Sequence, residues 1–281
     1  MKKGFILYAI LLLVQSFCLA QGQSKKSTVY GNNNRNGKYL PVGNIKLYYE
    51  IYGKGEPLLL IHGNGGSIKD FKYQIPYFSK YYKVIAVDSR AQGKSVDTSA
   101  RLNYEMMADD FNALLTHLNI DSANVIGWSD GGINGLLLAI RHPEKVKKLA
   151  ITGANLIPDT AVLNPAAVKL TTDELVKLRT EKQTPETRNT IKLLHMMEIE
   201  PNIPLTDLQK IKCPVLVIGG DFDAIKPSHT LQIFENIPRA NLWILPASGH
   251  ATLQRYKNEF NQKVRHFFTH SYLKPKWNDW D

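Results

Sequence analysis

The chain of 281 residues has two cysteines, Cys18 and Cys213. Cys18 falls in an N-terminal segment expected to be removed. One thiol then remains, no internal disulfide is available, and the core must hold the fold together unaided. Long apolar runs are also missing. Residues 5–14 form a run too short to span a bilayer comfortably. Acids are outnumbered, 25 against 35 lysines and arginines, for a net charge of +10. The bases are scattered and interleaved with acids, and no basic stripe carries stacking aromatics, so a nucleic-acid partner is not expected. No metal-ligand spacing, cofactor loop, internal repeat or long low-complexity tract is present. Neither a metal nor a cofactor is therefore expected, and the oligomeric state is left open.

A hydrophobic content of 43% and a charged content of 21% are those of an ordinary globular protein with a sizeable core. Lys2 and Lys3 precede the apolar run, and Ala20 stands at a plausible cleavage point before Gln21. That is the layout of an export signal over residues 1–20, which places the mature chain in the periplasm or outside the cell. Removing it takes away two lysines and no acids, so +10 becomes +8. Cys18 raises a lipoprotein alternative, although Gln15, Ser16 and Phe17 are unlike a lipobox.

Residues 21–37 are polar and rich in Gly and Asn, the composition of a flexible leader. Strands are expected at 38–42, 45–52, 57–61, 83–87, 123–126, 146–152, 214–218 and 241–245. Helices are expected after the loop at 62–67 through Tyr82, and over 104–118, 133–141, 228–236 and 252–268. Strand alternating with helix implies an α/β fold, a mostly parallel sheet with helices on both faces. The rhythm stops near Ala154 and resumes at Pro214, so 155–208 reads as a helical cap inserted into a core of 38–154 and 209–270. Within the cap, Thr172-Asp173-Glu174 reads as one helix start and 185–197 as a second helix. The tail, 271–281, has no assigned role.

The stretch around which the chain is organised is Gly127-Trp128-Ser129-Asp130-Gly131-Gly132, between a short apolar strand and an apolar helix. G-x-S-x-G in that context is a nucleophile elbow, whose tight turn lifts the serine hydroxyl above the sheet and aims a helix N-terminus at any anion formed there. A serine hydroxyl needs a base, and the base needs a third group to hold its tautomer. Three strand ends carry these types in the order Ser129, Asp223, His250. Asp221 is the rival acid, with a loop-capping role as its other reading. The oxyanion donors are expected to be the backbone N–H groups of Asp130 and of Asn64, with Gly65 as the fallback. Trp128, Asp130 and Met196 are candidate substrate contacts. Met196 and Met197 also read as core filler. His62 reads as a structural loop residue, His142 as a helix-end residue, and His195 as part of the cap.

The sequence resembles the α/β-hydrolase family over nearly the whole mature chain. The elbow at 127–131, the oxyanion loop His62-Gly63 with Gly65, the turn Asp88-x-Arg90-x-x-Gly93-x-Ser95 and the acid loop Gly220-Asp221-Phe222-Asp223 carry the likeness. Ala91 stands where the family usually has glycine. The run 127–133, with Gly153-Ala154-Asn155 downstream, is most similar to the valacyclovir hydrolase (biphenyl-hydrolase-like) branch. The resemblance implies a serine hydrolase that cleaves a small-molecule ester through an acyl-enzyme. Amide hydrolysis, carbon–carbon bond hydrolysis and peracid formation share the same triad, and a catalytically silent binding protein shares the fold. Serine at the elbow argues against the epoxide-hydrolase and dehalogenase branches, which need a carboxylate there. Asp130, immediately after the expected nucleophile, is expected either to face the acyl pocket, favouring substrates with a positive charge near the scissile carbonyl, or to point away, tied up by loop N–H groups or by an arginine.

Overall fold

Four apolar residues in succession, Leu58, Leu59, Leu60 and Ile61, are wholly buried because both faces of their strand are covered. Leu59 and Ile61 pack into the core on one side of the sheet. Leu58 and Leu60 pack on the other. The computed structural model describes residues 29–276. The expected signal segment, residues 21–28 of the leader and the end of the tail lie outside the described residues.

The sheet comprises β1 (Gly37–Val42), β2 (Ile45–Tyr52), β3 (Glu56–Ile61), β4 (Tyr82–Val87), β5 (Ala123–Trp128), β6 (Val146–Thr152), β7 (Val215–Gly220) and β8 (Ala240–Leu245). Their order is β1-β2-β4-β3-β5-β6-β7-β8. The β1–β2 and β2–β4 pairs are antiparallel. From β4 onward every pair is parallel. All the parallel strands therefore point their C-terminal ends at one edge, where loop side chains converge.

The helices are α1 (Ile75–Phe78), α2 (Tyr104–His117), α3 (Asp130–Arg141), α4 (Pro165–Thr180), α5 (Pro185–Ile199), α6 (Pro227–Asn236), α7 (Thr252–Arg255) and α8 (Lys257–Thr269). Met107, Phe111, Leu136 and Ile233 of α2, α3 and α6 fill one face of the sheet. Ile75, Phe78, Phe260 and Val264 of α1 and α8 fill the other. Among the described residues no helix is long and apolar enough to cross a membrane.

Four local expectations are corrected. The helix expected through Tyr82 is a 3₁₀ turn (Ile68–Phe71) followed by α1, and Tyr82 opens β4. Pro76 sits in the first turn of α1, where its missing N–H is harmless; in a continuous helix its ring would strike the preceding turn. The first cap helix starts at Pro165, not at Thr172, because Asn164 caps it by accepting from Ala166 N at 3.0 Å. The helix expected over 252–268 breaks at Tyr256, whose hydroxyl donates to the Pro246 carbonyl at 2.6 Å. Residues 29–36 are docked rather than loose. Gly31 and Asn33 donate backbone N–H bonds of 2.9 and 2.8 Å to the carboxylate of fully buried Glu50. The same carboxylate accepts from the hydroxyls of Tyr48 and Tyr52.

Candidate active site

Ser129 joins β5 to α3 with φ +56° and ψ −121°, a conformation in which a residue with a side chain is strained. Its flanking glycines are required by space. A Cβ on Gly127 would lie 2.1 Å from the Gly131 carbonyl oxygen, and one on Gly131 would lie 1.9 Å from that of Ile61. The turn closes through Ser129 N to the Thr152 carbonyl at 2.8 Å.

The loops after β7 and β8 bring the partners in. Ser129 Oγ and His250 Nε2 are 2.9 Å apart, and His250 Nδ1 and Asp223 Oδ1 are 2.6 Å apart. With Nδ1–H donating to the carboxylate, Nε2 is free to accept the serine proton. Asp223 is buried, and its oxygens also accept N–H bonds from Gly220 and Ile225, each at 3.2 Å. Asp221 does a different job. Its carboxylate accepts from Ala247 N and Ser248 N, both at 2.9 Å, closing the turn that leads to His250. Those backbone N–H bonds hold its carboxyl below the usual range.

A cavity of about 250 Å³ opens on Ser129 and His250. The cap entry (Pro158, Leu163) and α4 (Val168, Thr171, Leu175) line one side of it, with Met197 from α5 and Ala224 and Ile225 from the acid loop. The lining holds three carboxylates, Asp130, Glu198 and Glu200, and no lysine or arginine. Glu198 is paired with His195 at 3.1 Å and with Arg179 at 4.0 Å. Glu200 accepts from Tyr104 N at 3.1 Å, and burial raises its pKa. Asp130 is only 3% exposed, and burial pushes its carboxyl upward. Its Oδ2 accepts from Asn64 Nδ2 at 2.8 Å, and the Tyr104 phenol stands beside it. Burial, with Asp130 alongside, keeps the Tyr104 phenol well above its ordinary pKa.

Two expected substrate contacts lie elsewhere. Met196 is 2% exposed in the main core and absent from the cavity wall, and Met197 lines it instead. One residue along a helix is a rotation of about 100°, enough to carry a side chain from core to cavity. Trp128 faces the other side of the sheet, against the second core cluster. Its indole N–H donates to the His250 carbonyl at 2.9 Å, so it braces the His250 loop and does not line the cavity. His62 joins its own loop to the one after β4, donating to the Gly63 carbonyl and accepting from Ser89 N. His142 pairs with Asp109 at 2.8 Å, away from the triad.

Tyr104, Glu200, Met197 and Gly153 were not identified as site residues from sequence. Gly153 left a trace as part of the run after β6, and Met197 was read with Met196 as core filler. Gly63 approaches Ser129 closely: a Cβ there would lie 3.0 Å from Ser129 Cβ. The loop carrying Asn64 is thus set against the elbow. Among the described residues no group of three or more His, Cys, Asp or Glu side chains could hold a metal ion.

A serine, an imidazole and a carboxylate joined in sequence at the C-terminal ends of parallel strands belong to the α/β hydrolases. The alpha/beta hydrolase fold family matches residues 56–276, and the chain belongs to it. It is similar to the serine hydrolase BPHL of Mus musculus, 27% identical over 258 residues that cover 80% of this chain and 84% of that one. Among solved structures it resembles an esterase from Exiguobacterium antarcticum (TM-score 0.72, 21% identity, covering 83% of this chain and 100% of that one). It also resembles a meta-cleavage product hydrolase from Pseudomonas fluorescens IP01 (TM-score 0.69, 24% identity, 84% and 99% covered). At these identities the two structures speak for the fold alone.

Proposed function

We propose that the protein is an exported serine hydrolase that cleaves a small-molecule carboxylic ester. The observation that carries this reading is the hydrogen-bonded series Ser129–His250–Asp223, 2.9 and 2.6 Å, opening on a cavity. In the reaction Ser129 Oγ attacks the ester carbonyl while His250 Nε2 takes its proton. The oxyanion is met by backbone N–H groups of Asp130 and Asn64. The tetrahedral species then collapses, the alkoxide leaves with the proton held by His250, and an acyl-Ser129 ester remains. Water, deprotonated by the same imidazole, attacks that ester and releases the acid and the serine. Asp223 holds the imidazole tautomer and offsets the charge of the imidazolium.

The acyl group is one that carries a positive charge, such as an α-amino acid. The cavity wall has three carboxylates and no basic side chain of Lys or Arg. Asp130 is held there by Asn64, a neutral donor, and no lysine or arginine lines the cavity beside it. Similarity to BPHL, a serine hydrolase by name, fits this reading.

Ser129→Ala tests the chemistry. Turnover should fall on the order of 10⁴-fold and labelling by a fluorophosphonate should vanish, with the fold intact. Retention of a tenth of the activity would overturn it. Export is tested separately, by sequencing the N-terminus of secreted material, which should begin near Gln21.

A further inference from the structure

We propose that Asn64 is a positioning residue, whose side-chain amide fixes the distance between the two halves of the oxyanion hole by bonding to Asp130. This rests on the serine-hydrolase reading above. The two N–H groups assigned to the hole come from different parts of the chain, the loop after β3 and the first turn of α3. Such a hole works only if both hydrogens converge on the position the oxygen occupies in the transition state. Misplacement by a fraction of an ångström weakens it.

The two sides are unequally held. Asp130 begins a helix and is nearly inaccessible. Its carbonyl accepts from Asn134 Nδ2 at 2.9 Å, and the Tyr104 hydroxyl reaches its carboxylate. The loop opposite, Gly63-Asn64-Gly65-Gly66, has three glycines in four residues, with Gly65 at φ +66°. A glycine-rich stretch loses much conformational entropy when fixed. The loop is closed on itself by Gly66 N to the Gly63 carbonyl at 3.1 Å. The bond from Asn64 Nδ2 to Asp130 Oδ2, at 2.8 Å, ties it across to the elbow. It joins the side chains of the same two residues whose N–H groups are to converge. Asn64 is not among the residues that line the cavity, and its side-chain amide is spent on Asp130 rather than offered to a substrate.

Reciprocal exchange tests this, with a neutral p-nitrophenyl ester as substrate. Asn64→Ala should lower kcat about 10- to 100-fold with KM within about twofold, since the ground-state carbonyl gains less from the hole than the oxyanion does. Asn64→Asp alone sets two carboxylates face to face. Its deficit in kcat relative to wild type should be larger at pH 8 than at pH 6, where one proton can be shared between them. Combining Asn64→Asp with Asp130→Asn restores a donor and an acceptor with their roles exchanged, and kcat should recover to within about threefold of wild type. A combined variant no better than the worse single one, a loss confined to KM, or wild-type kcat in Asn64→Ala would overturn the proposal. If Asn64→Ala does not fold, as judged by thermal melting, the exchanged pair still decides. Wild-type enzyme inactivated by Ser129→Ala but unaffected at Asn64 would leave the serine hydrolase standing and remove only the strut.

Discussion

Gly153 packs against the imidazole of His250: a Cβ on it would lie 2.7 Å from Cε1 and 2.9 Å from Nδ1. The residue ends the turn after β6 at φ +67°, so a side chain there is opposed twice, by the ring and by the backbone. Gly153→Ala should displace the base. We expect kcat/KM to fall more than tenfold. The left-handed backbone alone costs about 1–2 kcal/mol. That corresponds to a drop in Tm of roughly 2–8 °C for a domain of this size. Fluorophosphonate labelling rate and a thermal melt read the two effects separately. Unchanged labelling would mean that the imidazole has room to spare.

The two aspartates of the acid loop are separable. Asp223→Asn leaves the shape but lets the imidazole take the wrong tautomer, and kcat should fall by about 10³- to 10⁴-fold. Asp221→Asn only loosens the turn it closes at Ala247 and Ser248, and the loss should stay below about tenfold. Steady-state kcat of the two variants settles the ranking, and the reverse order would exchange their roles.

Much of this site could be read from the chain because strands and tight turns constrain it locally. Pro57 to Ile61 reads as a buried strand since covering both faces demands an unbroken apolar run. Ser129 is legible because a strained turn needs glycines at fixed spacing, and the aspartate and histidine follow in a set order after other strands. Side-chain direction is another matter. Trp128 and Met196 were expected at the substrate, yet a strand residue faces one side or the other by parity, and a helix residue by a rotation of about 100°. Parity and rotation are fixed by what the element packs on, which for the cap is set by long-range contacts. Glu200 reaches Tyr104 across 96 residues of chain, and nothing local announces that meeting.

The two methionines of α5 give a direct check on that rotation. Met196→Ala opens a hole in the core and should cost about 2–4 kcal/mol in urea melts while leaving kcat/KM for a small ester near wild type. Met197→Ala should change stability little and move KM for a bulky acyl group severalfold, because that side chain lines the cavity. Equal effects of the two on KM would argue that the cap helix sits differently over the pocket.

Asp130 links stability, pH and selectivity. Burial raises its carboxyl above the unfolded value of about 3.9. Asn64, Tyr104, His250 and His62 all act to lower it, and burial outweighs them. A raised pKa means that the folded state binds the proton more tightly than the unfolded one does. The benefit is complete below the unfolded pKa and is lost as pH rises through the folded one, where ionising the buried group costs free energy. Asp130→Asn keeps the shape and removes that cost. The variant should therefore melt a few degrees above wild type at pH 7–8, and the gap should close toward pH 4. Asp88 and Asp110 are raised by burial too, but they are present in both proteins and cancel in the difference. The same change should erase selectivity. In wild type, kcat/KM for a free-amine aminoacyl ester should exceed that for its N-acetylated form by about ten- to a hundredfold, the scale of one partly desolvated charge pair. In Asp130→Asn the ratio should approach one. Taking the ratio within each protein cancels any damage to the elbow. A variant that melts below wild type at pH 7, or one that keeps the amine preference, would show that the carboxylate serves the fold and not the substrate.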